Sequence, residues 1–180
     1  MPYLTAAVVL VGVLGLLNLV LTVGVIRRLR GEGASTMVDG DGVEVTPNVG
    51  DEIGDFLTST VDGEPVSRAS MAGTLVAFLS PTCPPCRAAV PDLVRYADGP
   101  GAGQVTAVVT GDEHEVASLV STLGPVARVI TEEPFGPVST AFAVRSFPTF
   151  CRVTGDATVA AVGFTLSAVT ESDRARARAR

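Results

Sequence analysis

Hydrophobic positions change rhythm twice along this chain. From Leu4 to Ile26 there is no charged side chain, and these 23 residues as a helix, at about 1.5 Å each, reach roughly 35 Å. That length crosses a bilayer core, so the run predicts a single transmembrane helix, with residues 1–30 as anchor and basic flank. A cleavable leader would start on basic residues and end on small ones; here Met1-Pro2-Tyr3 is uncharged in its side chains and Arg27, Arg28 and Arg30 follow the span. Residues 31–48 are rich in Gly and Asp without apolar periodicity, the mark of a flexible tether.

From Val49 onward short apolar runs alternate with turn residues. Gly50 to Leu57 and Thr60 to Val66 read as a short strand and hairpin turning at Asp62-Gly63. Thr74 to Leu79 is a continuous apolar run of strand length, as in a strand covered on both faces. Arg87 to Ala97 follows as a helix, Val105 to Thr110 as a second buried strand, and Asp112 to Leu123 as an amphipathic helix. Phe150 to Val153 and Val159 to Val162 close the domain as a hairpin through Gly155-Asp156. Strands alternating with helices predict an α/β domain with a mainly parallel sheet, and 180 residues allow one such core.

Charge narrows the range of partners. The net charge is −6, and all 13 basic residues are arginine. An acidic surface repels phosphate, which argues against nucleic acid. Four arginines close the chain at Arg174, Arg176, Arg178 and Arg180, and residues 173–180 read as a disordered, solvated tail.

The candidate chemistry is Cys83-Pro84-Pro85-Cys86, set where an apolar strand should turn into a helix. Three cysteines are too few for a disulfide-stapled scaffold, so the pair acts as chemistry or as a metal clip. At a helix start the positive end of the macrodipole favours a thiolate, which makes Cys83 the nucleophile. Cys86, three residues on, shares its helical face and can resolve a mixed disulfide. Pro84 and Pro85 suit a first helical turn but remove two N–H groups that would otherwise donate to the Cys83 sulfur, which predicts a less oxidising site. Cys151 has no evident partner: a buried core cysteine is the simpler reading, an auxiliary thiol the alternative. A zinc site would need Cys83, Cys86, Cys151 and His114 together, with no second close pair to complete it. A peroxidase loop, Pro-x-x-x-Thr/Ser-x-x-Cys, is absent, because counting back from Cys83 gives Ser80 but Val76.

On these residues the stretch from about Val49 to Val169 resembles the thioredoxin superfamily, in particular its membrane-tethered TlpA-like and methylamine-utilisation maturation-type thiol-disulfide oxidoreductases. The lead-in from Gly50 to Phe56, the strand into the Cys83–Cys86 motif, Pro91, and Val144-Arg145-Ser146-Phe147-Pro148-Thr149-Phe150 carry the likeness. It implies a thioredoxin-like fold, a central mixed sheet flanked by helices, over residues 49–172. It makes Pro148 a cis-proline beside the disulfide, with backbone groups around Phe147 pairing an extended client segment. It further implies protein clients exchanged in the reducing direction, a reducing partner dithiol such as a membrane electron carrier, and no dissociable cofactor or resident metal. Thioredoxin-like copper chaperones supply the rival: the same cysteines presenting Cu(I) or zinc.

The resemblance places such domains on the outer face of the cell membrane, whereas the arginines after the span argue for the cytoplasmic face. Two family positions differ. Thr82 stands where a tryptophan usually precedes the first cysteine, and Ala77 where a buried acid relays protons, leaving water or a carboxylate such as Glu113 to deprotonate Cys86.

Overall fold

The computed structural model describes residues 47–178, with side chains as far as Ser172, besides the isolated positions Tyr3 and Gly12. The expected membrane span from Leu4 to Ile26 and most of the tether lie outside the described residues. No helix among the described residues is long and apolar enough to cross a membrane.

The domain begins with a two-stranded antiparallel hairpin, β1 (Leu57–Ser59) and β2 (Pro65–Ser67). Its turn contains Gly63 at φ 83°, a left-handed conformation that glycine adopts without a Cβ clash. The lead-in read as a strand from Gly50 is instead mostly irregular: only an isolated bridge between Glu52 and Thr158 interrupts it before Leu57. A 3-10 turn (Arg68–Met71) then leads into β3 (Leu75–Leu79), whose five residues are all buried. Continuous burial of a Leu-Val-Ala-Phe-Leu run needs cover on both faces, and the fold supplies it.

After β3 come α1 (Pro84–Ala97), β4 (Val105–Thr110), α2 (Glu113–Leu123), β5 (Arg128–Glu132), α3 (Pro137–Ala141), β6 (Thr149–Val153), β7 (Val159–Gly163) and α4 (Leu166–Arg178). The main sheet has the order β5-β4-β3-β6-β7. β3, β4 and β5 are parallel, whereas β6 runs antiparallel to β3 and β7 antiparallel to β6. The sheet is therefore mixed, as the resemblance implied.

Alternate residues of β3 enter separate cores, as the two-residue period of a strand requires. Leu75, Ala77 and Leu79 pack with Cys86, Val90 and Leu93 of α1, Leu119 of α2 and Val169 of α4. Val76 and Phe78 face the other way, against Ile53, Met71, Val138 and Phe142. There the Phe78 and Phe142 rings meet edge to face at 5.2 Å between centroids. The outcome is three layers: the long helices on one face, and the hairpin, the 3-10 turn and α3 on the other.

Several elements depart from expectation. α1 starts at Pro84, three residues before Arg87, because Pro84 and Pro85 occupy the first helical positions, where a missing N–H costs no intrahelical bond. β5 and α3 occupy the stretch between Leu123 and Val144 that periodicity leaves unassigned. α4 is a further addition, and its backbone is helical from Asp173 on to Arg178. The alternating Arg and Ala there are both strong helix formers, and this outweighs the absence of an apolar stripe.

Candidate active site

The site is assembled at the carboxyl end of β3. Past Leu79 the chain turns through Ser80, whose carbonyl accepts the Cys83 N–H at 3.2 Å. Cys83 itself is extended (φ −88°, ψ 112°) and forms the N-cap of α1. Its sulfur accepts the Cys86 N–H at 3.3 Å, so a thiol fills the place usually held by a serine or aspartate oxygen. The Cys83 carbonyl also takes the Arg87 N–H at 3.2 Å, fixing the first turn around the motif.

The second wall comes from the loop before β6. The Phe147–Pro148 peptide bond is cis, and the Cys83 thiol lies 3.5 Å from the Phe147 carbonyl oxygen, to which it donates. Cys83, Cys86, Phe147 and Pro148 are thus brought together, with Pro84 and Pro85 exposed on the rim. Both thiols of the motif are free. Cys83 is partly accessible and Cys86 fully buried. Burial, reinforced by the hydrogen bond that the Cys86 thiol makes to the Cys83 side chain, pushes the Cys86 thiol up to about 12, while a backbone group of Ser80 acts the other way. In the resting dithiol Cys86 is therefore a protonated thiol behind an accessible sulfur.

Beside the motif a groove of about 910 Å³ runs from Pro85, Phe147 and Pro148 toward Tyr96, Phe164 and Leu166. The last two flank the β7–α4 turn, a wall of the groove that sequence reasoning misses; the available signal is Thr165, whose hydroxyl oxygen accepts the Ala168 N–H at 3.4 Å at the start of a helix.

Of the remaining residues singled out from sequence, Ala77 is fully buried among the apolar side chains that surround Cys86, and no carboxylate contributes to the shift of that thiol. Glu113 and His114 are exposed at the start of α2. Thr82 is exposed, with its hydroxyl 3.1 Å from that of Ser80. Pro91 lies inside α1 and leaves the Arg87 carbonyl without its i+4 donor. Cys151 is fully buried in the opposite core, with Val76 and Val108, and burial alone raises its thiol. A thiol on that face does not line the groove, so the auxiliary reading loses its geometric basis. Among the described residues no three His, Cys, Asp or Glu side chains converge as a metal site.

No family model matches the chain, and no curated protein matches it. Solved structures do. A thio-disulfide isomerase from Thermus thermophilus aligns with a TM-score of 0.59 and 22% identity, covering 73% of this chain and 96% of that one. The thioredoxin domain of a thiol-disulfide oxidoreductase from Bacteroides vulgatus gives 0.59 at 17% identity, covering 72% and 97%. A secreted Mycobacterium tuberculosis disulfide oxidoreductase homologous to Escherichia coli DsbE gives 0.51 at 24% identity, covering 68% and 92%. The domain has a thioredoxin-like fold. These likenesses establish the fold.

Proposed function

We propose that the protein is a thiol-disulfide oxidoreductase acting on protein clients through Cys83 and Cys86. One observation carries this reading: an accessible sulfur at a helix N-cap, bonded by the Cys86 N–H, with a buried second thiol one turn along and the Phe147–Pro148 loop against it. The names borne by the solved structures of the same fold support it.

In the reducing direction the Cys83 thiolate attacks one sulfur of a client disulfide, forming a mixed disulfide and releasing the other client sulfur as a thiolate. Cys86 then gives its proton to solvent and attacks the Cys83 sulfur. The Cys83–Cys86 disulfide forms, the second client thiolate leaves, and two electrons have passed to the client. A partner dithiol restores the pair. Phe147 and Pro148 hold the client segment by backbone pairing beside the sulfur, and the groove takes its side chains. Reduction is the favoured direction because Pro84 and Pro85 provide no N–H to a Cys83 thiolate, leaving the Cys86 N–H as the donor on that sulfur.

Residues 4–26 would tether the domain to a bilayer in the TlpA-like manner, with the domain on the outer face and a membrane electron carrier as the reducing partner. Labelling of cysteines in intact cells with an impermeant reagent tests the sidedness.

The decisive experiment on the chemistry is Cys86→Ser. An oxidoreductase accumulates mixed disulfides between Cys83 and its clients; a carrier of Cu(I) or zinc loses metal stoichiometry and traps nothing. Equilibration with a glutathione buffer tests the direction. The potential is expected well below the roughly −120 mV of a strong disulfide donor, and a value that high overturns the reductase assignment.

A further inference from the structure

The parallel strands β3, β4 and β5 all end on the side of the sheet that carries Cys83, and β6 begins there after Pro148. In open α/β sheets ligands gather at the carboxyl ends of such strands. Besides the Cys83 motif, that end presents a large exposed aromatic, Phe135, on the turn after β5. It is 66% exposed and sits at φ 62°, in the left-handed region that a bulky side chain rarely adopts.

The turn is built to hold that ring outward. The Glu132 carboxylate accepts the N–H groups of Val138 and Ser139 at 2.9 Å each, and the Ser139 hydroxyl as well. Gly136 donates to the Glu133 carbonyl at 2.9 Å, and its missing Cβ leaves room for Glu132, which a side chain there would meet at 2.6 Å. The Thr140 hydroxyl donates to the Phe135 carbonyl at 2.9 Å. Over the ring lies Arg145, with its guanidinium carbon 5.7 Å from the centroid. Arg145 has no ion-pair partner among the described residues, and it stands two positions before Phe147.

We infer that Phe135 and Arg145 form a second recognition point for the client, reading an aromatic or aliphatic side chain and a carboxylate beside the cysteine that Cys83 attacks. The inference rests on the exchange reading above and adds a client class to it: disulfides in acidic, apolar-flanked segments. Two features favour such a client. Aromatic rings and guanidinium groups are enriched in interfaces, and here the backbone that carries the ring is held by the hydrogen bonds of the turn. The cation has no carboxylate partner among the described residues of an otherwise acidic chain, and Arg145 stands on the stretch that leads to Phe147 and Pro148, at the same end of the sheet as Cys83.

The test compares two cystine-looped synthetic peptides with the full chain, one carrying Phe and Asp beside the first cysteine and one carrying Ser and Lys. Hydroxyethyl disulfide serves as a small neutral substrate. The wild-type protein should prefer the Phe/Asp peptide by about tenfold in kcat/KM. Phe135→Gly, which suits the left-handed backbone, and Arg145→Gln should each reduce that preference to about twofold with Tm retained, whereas Val49→Ser, an exposed control on the lead-in bonded to β7 at the other edge of the sheet, should keep it.

An unchanged preference in Phe135→Gly overturns the inference. So does a concentration-dependent dimer in sedimentation that this variant abolishes, since the occupant would then be a second copy. Turnover of hydroxyethyl disulfide without discrimination between the peptides refutes the recognition point alone. Failure to reduce any of the three refutes the exchange reading itself.

Discussion

Cys86 and Cys151 are equally buried thiols on opposite faces of one sheet, and burial moves both in the same direction. What separates them is their neighbours. Cys151 is surrounded by Val76, Val108 and Val153, and nothing reaches it but apolar carbon. Cys86 lies one helical turn inside an accessible sulfur to which its own N–H is bonded. Burial alone makes a cysteine inert. Burial next to a helix N-cap thiol gives a protonated thiol within reach of an accessible sulfur, the arrangement that the proposed exchange uses. The pair shows that site chemistry here is set by connectivity at the end of β3, and only secondarily by exposure.

Removing the accessible sulfur should have the largest effect. Cys83→Ser is expected to lower disulfide exchange by about a thousandfold or more, measured as turnover of a cystine peptide, because a hydroxyl does not form the mixed disulfide. Ala77→Asp would introduce the missing acid beneath Cys86. It should cost about 2–4 kcal/mol in denaturant unfolding, the penalty of a carboxyl among apolar side chains, while speeding resolution near neutral pH. In the wild type, resolution should rise by about tenfold per pH unit around neutrality without a plateau, since a solvent base removes the Cys86 proton. Stopped-flow release of a preformed mixed disulfide measures that slope, and a plateau near pH 7 would reveal a protein base.

Stability has its own pH dependence. Unfolded thiols ionise near 9.0, whereas buried Cys86 keeps its proton up to about 12, so the unfolded state binds fewer protons in that window. The stabilisation is present in full below pH 9.0 and is lost as pH rises toward about 12. Cys151 contributes with the same sign. The smallest effect should come from Cys151→Ala, with about 1 kcal/mol lost through the small cavity and no change in exchange rate. A large loss of activity there would break the contrast between the two faces.

Most of the central sheet is legible in the sequence because its strands are continuous apolar runs. Leu75 to Leu79 carry that signal in β3, and Val105 to Thr110 carry it in β4. β5 escapes because only Val129 and Ile130 of its five residues are buried, too few for either periodicity. α3 is a five-residue helix started by Pro137 and held by Glu132 from the preceding strand, a tertiary cap that no local pattern announces. The Cys83–Cys86 pair is legible from spacing and setting, and the resemblance points to Pro148. The Phe135–Arg145 pair is not, because a left-handed backbone at a phenylalanine follows from the closed turn around it and has no local residue signature.

The way the domain begins bears on how it would carry a load. Gly50 donates to the Val159 carbonyl at 2.8 Å, Val159 donates to that of Asp51 at 2.9 Å, and Ile53 donates to that of Ala157 at 3.3 Å. This seam ties the lead-in to β7, at the opposite end of the strand order from β5 and two strands from β3. A mechanical load entering at Pro47 therefore falls first on an outer seam of hydrogen bonds. The seam would take the strain first, before the pull passes through Ile53 to Val76 and Phe78 of the strand that positions Cys83.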